Sequence, residues 1–233
     1  MKKSSMMKDA VILCAITLIL GAVLAGVYTL TKKPIEDAQA KANNEACEAV
    51  VVSGDAVQNT VATGEAVKYL QTHDLSDQEI KEGETSQDLL SNYVDIQEIH
   101  PTTAGGYVYL ADALKGYGGK ISFALGIDKY GATTGISITS QSETAGLGAK
   151  CEDEEFQKRF IDVFGISPSS ELYSKEAPEE EVITDPEDRE RHLKSTVQAI
   201  TGATVTSRAI TRAVKGIIFY HNYSAEKEAG NNE

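Results

Sequence analysis

No tryptophan occurs among the 233 residues, and cysteine, histidine and proline number only three, four and five. The cysteines, Cys14, Cys47 and Cys151, form no C-x-x-C pair and supply no zinc or iron–sulfur ligand set. A Cys47 to Cys151 disulfide stays open for a domain outside the cell. His73, His100, His192 and His221 show no i, i+4 pairing and read as solvated or core side chains. Basic residues are short as well: 22 Lys and Arg stand against 35 Asp and Glu, a formal charge of −13. Gripping a phosphate backbone needs clustered cations, so nucleic acid is set aside as a partner. No dinucleotide-binding glycine fingerprint occurs either.

Charge is missing altogether from residues 10–30, AVILCAITLILGAVLAGVYTL, a run of 21 positions. As a helix it crosses ~30 Å of hydrocarbon at ~1.5 Å per residue, so one transmembrane helix is expected. A cleaved signal peptide, with Lys2, Lys3 and Lys8 ahead of it and Ala38 and Ala40 as an A-x-A site, is the competing reading; the length of the run disfavours it. The lysines before the run slightly outnumber Lys32 and Lys33 after it, which favours a cytoplasmic N-terminus over 1–9. Past residue 31 there are 19 basic and 34 acidic residues, a balance repelled by anionic lipid on the cytoplasmic leaflet. A single-pass cell-membrane protein with its large domain extracytoplasmic is the expectation.

The fold class expected is α+β: the N-terminal transmembrane helix, then a domain with an antiparallel sheet and packed helices. Residues 31–106 are expected to hold a stalk, helical over 34–50, and the first part of the extracytoplasmic domain. Ser76 with Glu79 fits a helix capping box. The main domain is placed at 107–223 and a polar tail at 224–233. Within it, YVYLADA, KISFALGID and ATTGISITS alternate apolar with polar or small residues between glycine turns at 116–119 and 128–131, which predicts a meander. A helix is expected over 153–164, with Phe156, Phe160, Ile161 and Phe164 on its core face. The acidic run 176–190 lacks the turn glycine and ligand spacing of a cation loop and reads as solvated surface. Ile210, Ala213, Val214, Ile217 and Ile218 trace the apolar face of a last helix ending at about Tyr220.

Two stretches carry chemistry. TGATVTS, residues 201–207, crowds hydroxyls at the start of that last helix, where unpaired backbone amides and the positive end of the helix dipole favour an anion. Gly202 and Ala203 let a phosphate approach the backbone, Thr204, Thr206 and Ser207 offer hydroxyls, and Arg208 can add charge. An over-capped helix is the bland alternative. SQSETAGLGAK, residues 140–150, follows a strand and packs Glu143, Thr144, Gly146, Leu147 and Gly148 into six positions. Two glycines around a leucine make a turn that can lie against a flat ligand. The bland alternative there is a hairpin end.

Together, ETAGLG from 143 and TGATVTS from 201 resemble the FMN-binding domain of the G subunit of Rnf complexes and of the C subunit of sodium-pumping NADH:quinone reductases. The family pattern is E-T-P-G-L-G followed further along by S-G-A-T-x-T-S; here Ala145 replaces the proline and Thr201 the serine. The likeness extends upstream through GYGGKISFALGID. It implies FMN joined through its phosphate to the Thr206 hydroxyl, with Gly202, Ala203, Thr204 and Ser207 around the phosphate. Glu143, Thr144, Gly146, Leu147 and Gly148 are expected against the isoalloxazine ring rather than the phosphate. It also implies a separate flavin transferase using FAD, because no base adjoins Thr206 in sequence.

The resemblance further implies other Rnf subunits and the lipid bilayer as partners. The task it implies is to relay electrons one at a time, with no catalytic residue, no metal and no turnover of NADH or ferredoxin by this chain alone. The quinone-reductase C subunit is the runner-up; that type usually carries G-x-G-L-W where this chain has GYGGK and no tryptophan anywhere. A flavin-free, membrane-tethered scaffold is the reading from another class.

Overall fold

In a computed structural model the described residues are 3–52, 54–58, 79–80, 84–85, 92–163, 173–175 and 196–230. His73, His192, Phe164, Ser76 of the expected capping box and the acidic run 176–190 lie outside them. The chain divides into two compact units, Met1–Ala42 and Asn43–Glu233.

The first unit is helical. Helix α1 spans Lys3–Ala49 and takes in the uncharged run, whose apolar side chains are exposed on every side, Leu30 at 78%. A helix apolar all round suits a hydrocarbon surround. Its hydroxyls are satisfied internally: Thr17 donates to the Cys14 carbonyl and Thr29 to that of Ala25, each at 2.9 Å. Such back-bonding keeps a threonine paired where no water reaches it. The helix expected over 34–50 is the direct continuation of the anchor, with Pro34 inside it.

The second unit is built on four antiparallel strands in sequence order: β3 (Val94–Pro101), β4 (Tyr107–Ala113), β5 (Ile121–Ile127) and β6 (Thr133–Ser140). β4 to β6 are the expected meander. β3 is an additional strand; a bulge between Ile96 and Glu98 breaks its two-residue period, which hides it from a pattern search. Two short ladders accompany the sheet: β1 (Glu79–Ile80) runs antiparallel to β2 (Glu84–Thr85), and β7 (Tyr173–Lys175) parallel to β8 (Thr196–Gln198).

On one face, Tyr109, Ala111, Phe123, Leu125 and Ile127 pack in the same core as Ile210, Val214, Ile217 and Ile218 of helix α3 (Thr204–Gly230). Those four α3 side chains and Ala213 are fully buried, and each Ile or Val there contributes about 1.5–3 kcal/mol. On the other face, Val108, Leu110 and Ala124 meet Ala46, Cys47 and Val50 from the end of α1 and the turn after it. Gly126 has no side chain because one would overlap the Val50 carbonyl. Cover on both faces explains why β4 is buried along almost its whole length.

Two expectations change, and the open question of a disulfide is answered. In place of a helix over 153–164 there is one α-turn, α2 (Glu154–Gln157), and a 3-10 turn at Lys158–Phe160. Thr133 of β6 draws the chain out of the helix: its hydroxyl donates to the Phe160 carbonyl at 2.5 Å and its amide to that of Val163 at 3.0 Å. Asp162 takes φ +60°, and Ile161 is exposed while Phe156 and Phe160 stay buried with ring centroids 5.3 Å apart. α3 continues to Gly230, past Tyr220. Cys47 and Cys151 are free thiols in separate core clusters, so no disulfide joins them. Burial pushes Cys47 up to about 11 and Cys151 to about 12.

His221 is a core histidine, hydrogen-bonded through Nδ1 to the Tyr109 hydroxyl at 2.9 Å. Burial lowers its pKa below 6.5, against a smaller upward pull from Asp128. Protonation therefore favours the unfolded chain: this contribution is complete above about pH 6.5 and is lost as pH falls through the lower folded value. His221→Gln, neutral throughout, is expected to flatten the pH dependence of the urea midpoint between about pH 7 and pH 5. An unchanged slope would acquit His221.

Candidate functional site

The two motifs meet at the start of α3. Arg159 Nη1 donates to the carbonyls of Gln198 at 2.8 Å and Ala199 at 3.4 Å, pinning the chain as it leaves β8. The turn to the helix passes through Gly202, whose φ of +77° favours glycine. The Ala203 amide donates to the Ile200 carbonyl at 2.9 Å, and the Ser207 amide closes the first helical bond on the Ala203 carbonyl at 3.0 Å. Ala203 therefore caps with no side-chain acceptor, and the amides of Val205 and Thr206 have no acceptor within the helix. Ser207 is fully buried; its hydroxyl donates to the Ala203 carbonyl at 3.0 Å and accepts from the Ile200 amide at 2.9 Å. Its work is to shape the turn.

Thr206 is 1% exposed, and its hydroxyl donates to Oε2 of Glu143, itself buried. The Glu143 carboxylate also accepts from the Gly118 amide at 2.8 Å and more weakly from the Tyr117 amide at 3.3 Å. Its own amide donates to Gln141 Oε1 at 2.6 Å. Three glycines clear the space. A Cβ on Gly148 would stand 2.6 Å from the Thr206 hydroxyl and 2.8 Å from Glu143 Oε2, and one on Gly116 would stand 2.7 Å from Glu143 Oε1. One on Gly118 would overlap the Ser142 carbonyl.

Leu147 is 45% exposed and abuts the second motif, where a Cβ on Gly202 would lie 3.3 Å from its Cδ2. Thr144, Ala145 and Gly146 form the exposed tip, with Gly146 at φ +76°. Thr204 is half-buried, and Arg208 is exposed one turn into α3. Tyr117 and Val205 stand out from the same region, 73% and 52% exposed.

Glu143 and Gly148 lie against the Thr206 hydroxyl, because β6 delivers the loop to the helix start. No base adjoins Thr206 in sequence; in space the Glu143 carboxylate lies beside it. Pattern reading also missed Tyr117 and Gly118, whose amides hold Glu143, and Arg159, which pins the turn. The glycines at 116, 118 and 119 were the available signal, read there only as a hairpin turn. The helix start with its free amides and the glycine at 202 suit a phosphate group such as that of FMN; the Glu143 carboxylate, hydrogen-bonded to the Thr206 hydroxyl, is the one nearby feature that opposes its charge. Among the described residues, no group of His, Cys, Asp and Glu is placed to hold a metal ion.

Comparison with known proteins agrees with the cluster. Residues 116–218 match the FMN-binding domain family and residues 1–50 the RnfG N-terminal region. The G subunit of the proton-translocating ferredoxin:NAD(+) oxidoreductase complex of Clostridium ljungdahlii is 35% identical over 109 residues, 47% of this chain and 49% of that one. The G subunit of the Na(+)-translocating ferredoxin:NAD(+) oxidoreductase complex of Acetobacterium woodii is 34% identical over 120 residues, 51% of each. The chain thus spans about half the length of the curated relatives it matches. A solved structure, the C subunit of the Na(+)-translocating NADH-quinone reductase of Parabacteroides distasonis, is 14% identical with a TM-score of 0.40, over 68% of this chain and 93% of that one, and carries no weight at that distance. Residues 116–218 are thus similar to the FMN-binding domain family, and residues 1–50 ahead of them to the RnfG N-terminal region.

Proposed function

We propose that this chain is the membrane-anchored G subunit of an Rnf-type ion-translocating ferredoxin:NAD+ oxidoreductase, holding FMN esterified through its phosphate to Thr206 and working with the other subunits of that complex. The observation that carries the reading is the convergence of both motifs on one hydroxyl: Glu143 from the first meets Thr206 of the second, and Leu147 lies against Gly202. The flavin, when bound, supplies the electron-transfer chemistry. The chain's own residues attach and orient it. The amides of Val205 and Thr206 and the α3 dipole favour the phosphate's negative charge, with Gly202, Ala203, Thr204 and Ser207 shaping that turn. Leu147, Gly146 and Thr144 line the approach.

The absence of tryptophan and the GYGGK segment favour this reading over a quinone-reductase C subunit. A flavin-free scaffold would have no use for a buried carboxylate clamped on a threonine. The test is co-expression with a flavin transferase, the partner taken to supply the group from FAD. Mass spectrometry of the tryptic peptide 195–208 is expected to show added mass equal to FMN less water. Unmodified peptide under conditions that flavinylate a known acceptor would end the proposal.

The large domain is proposed to face outward from the cell membrane. Cys47 and Cys151 are buried and unreactive in the native fold, so the test uses Tyr130→Cys, a position 76% exposed, in a Cys14→Ser background. An impermeant maleimide is expected to label it in intact cells. Labelling that needs lysis would place the domain inside.

A further inference from the structure

We propose that Glu143 is the base for flavin attachment: it takes the Thr206 proton as the hydroxyl oxygen attacks phosphorus. This rests on the proposed function and adds to it a residue with a chemical role. An unassisted threonine hydroxyl is a weak nucleophile, and hydroxyl nucleophiles work beside a base within hydrogen-bond reach. Thr206 Oγ1 donates directly to Glu143 Oε2.

A structural role alone would not call for a carboxylate. One turn along the same helix, the buried hydroxyl of Thr211 is satisfied by the Ser207 carbonyl at 2.8 Å, the ordinary backbone partner of a helical threonine. Thr206 instead donates to an acid taken out of water, and burying a carboxylate is costly. The molecule also holds that acid in place: the Tyr117 and Gly118 amides aim it, the Gln141 side chain anchors its backbone, and Gly116 and Gly148 lack the Cβ atoms that would displace it.

The step balances. A bond forms between Thr206 Oγ1 and the flavin-side phosphorus of a flavin dinucleotide. The diphosphate P–O bond breaks and releases a nucleoside monophosphate, and the Thr206 proton passes to Glu143 and then to solvent. Because Thr206 is 1% exposed, the residues packed over its hydroxyl must shift to admit the donor.

The experiment follows adduct formation by intact mass, using purified full-length chain, a flavin transferase and FAD. Glu143→Gln keeps the shape and removes the base; it is expected to slow the rate by at least about 100-fold, the scale of general-base catalysis, with the melting temperature retained. The KM for FAD is expected to stay at the wild-type value while the rate at saturating FAD falls, a split that a purely structural role would not cause. If Glu143→Gln does not fold, Glu143→Asp is read instead: it retracts the carboxylate by one methylene, and a rate at least about tenfold lower is expected. A folded Glu143→Gln or Glu143→Asp chain flavinylated within about threefold of wild type overturns the inference and leaves the FMN reading standing. A wild-type chain that takes no FMN overturns both.

Discussion

Thr206→Val is expected to abolish covalent FMN completely, leaving the peptide 195–208 at its unmodified mass and the protein without flavin fluorescence on a denaturing gel. Valine has the shape of threonine, so packing at a position 1% exposed is preserved. What disappears is the oxygen that forms the ester and one of the three hydrogen bonds to Glu143. Leaving a buried acceptor short of a donor costs about 1–3 kcal/mol, which a chemical melt separates from the loss of attachment. Thr211→Val is the matched control. It deletes a buried hydroxyl one turn further along that donates only to the Ser207 carbonyl, so about 1 kcal/mol of stability is lost and the adduct remains. Full adduct on Thr206→Val would move the linkage to another hydroxyl of the motif and remove Thr206 from the chemistry.

Gly148→Val is expected to lose most of the adduct and also to destabilise the domain. At this glycine the constraint is space, since an added Cβ would sit 2.6 Å from the Thr206 hydroxyl and 2.8 Å from both Cβ and Oε2 of Glu143. The backbone of Glu143 is held by Gln141 and its carboxylate by two amides, so the clash cannot be relieved by swinging one side chain. Overpacking of this kind costs about 1–3 kcal/mol, and the Thr206 to Glu143 hydrogen bond is broken with it. Gly131→Ala separates the two effects. Gly131 has φ +83° in the turn between β5 and β6, and a Cβ there would meet nothing nearer than 3.5 Å. It should lose about 1–2 kcal/mol to left-handed backbone strain while the adduct forms at the wild-type rate. Normal attachment in Gly148→Val would mean that the glycine clearance has no part in presenting the hydroxyl.

The elements legible in sequence are those whose signals are local. The uncharged run 10–30 predicts its helix from length and composition, the meander follows from two-residue periods broken by glycine turns, and α3 shows in the spacing of Ile210, Val214, Ile217 and Ile218. Both motifs were likewise readable as strings. Glycine and hydroxyl residues at a helix start announce an anion site, because the amides and dipole found there belong to every helix.

Tertiary structure decided what each local signal could not contain. Whether 153–164 completed its helix depended on Thr133, a distant residue that binds the carbonyls of Phe160 and Val163. Whether Cys47 and Cys151 paired depended on which side of the sheet each packed. Whether Thr206 met a carboxylate depended on a contact spanning 63 residues, which no sequence window includes. Chain direction and sheet order brought the end of β6 to the start of α3. Residues 140–150 and 199–207 supplied the glycines, hydroxyls and carboxylate; only the fold, by joining two segments far apart in the chain, buried that carboxylate against one hydroxyl.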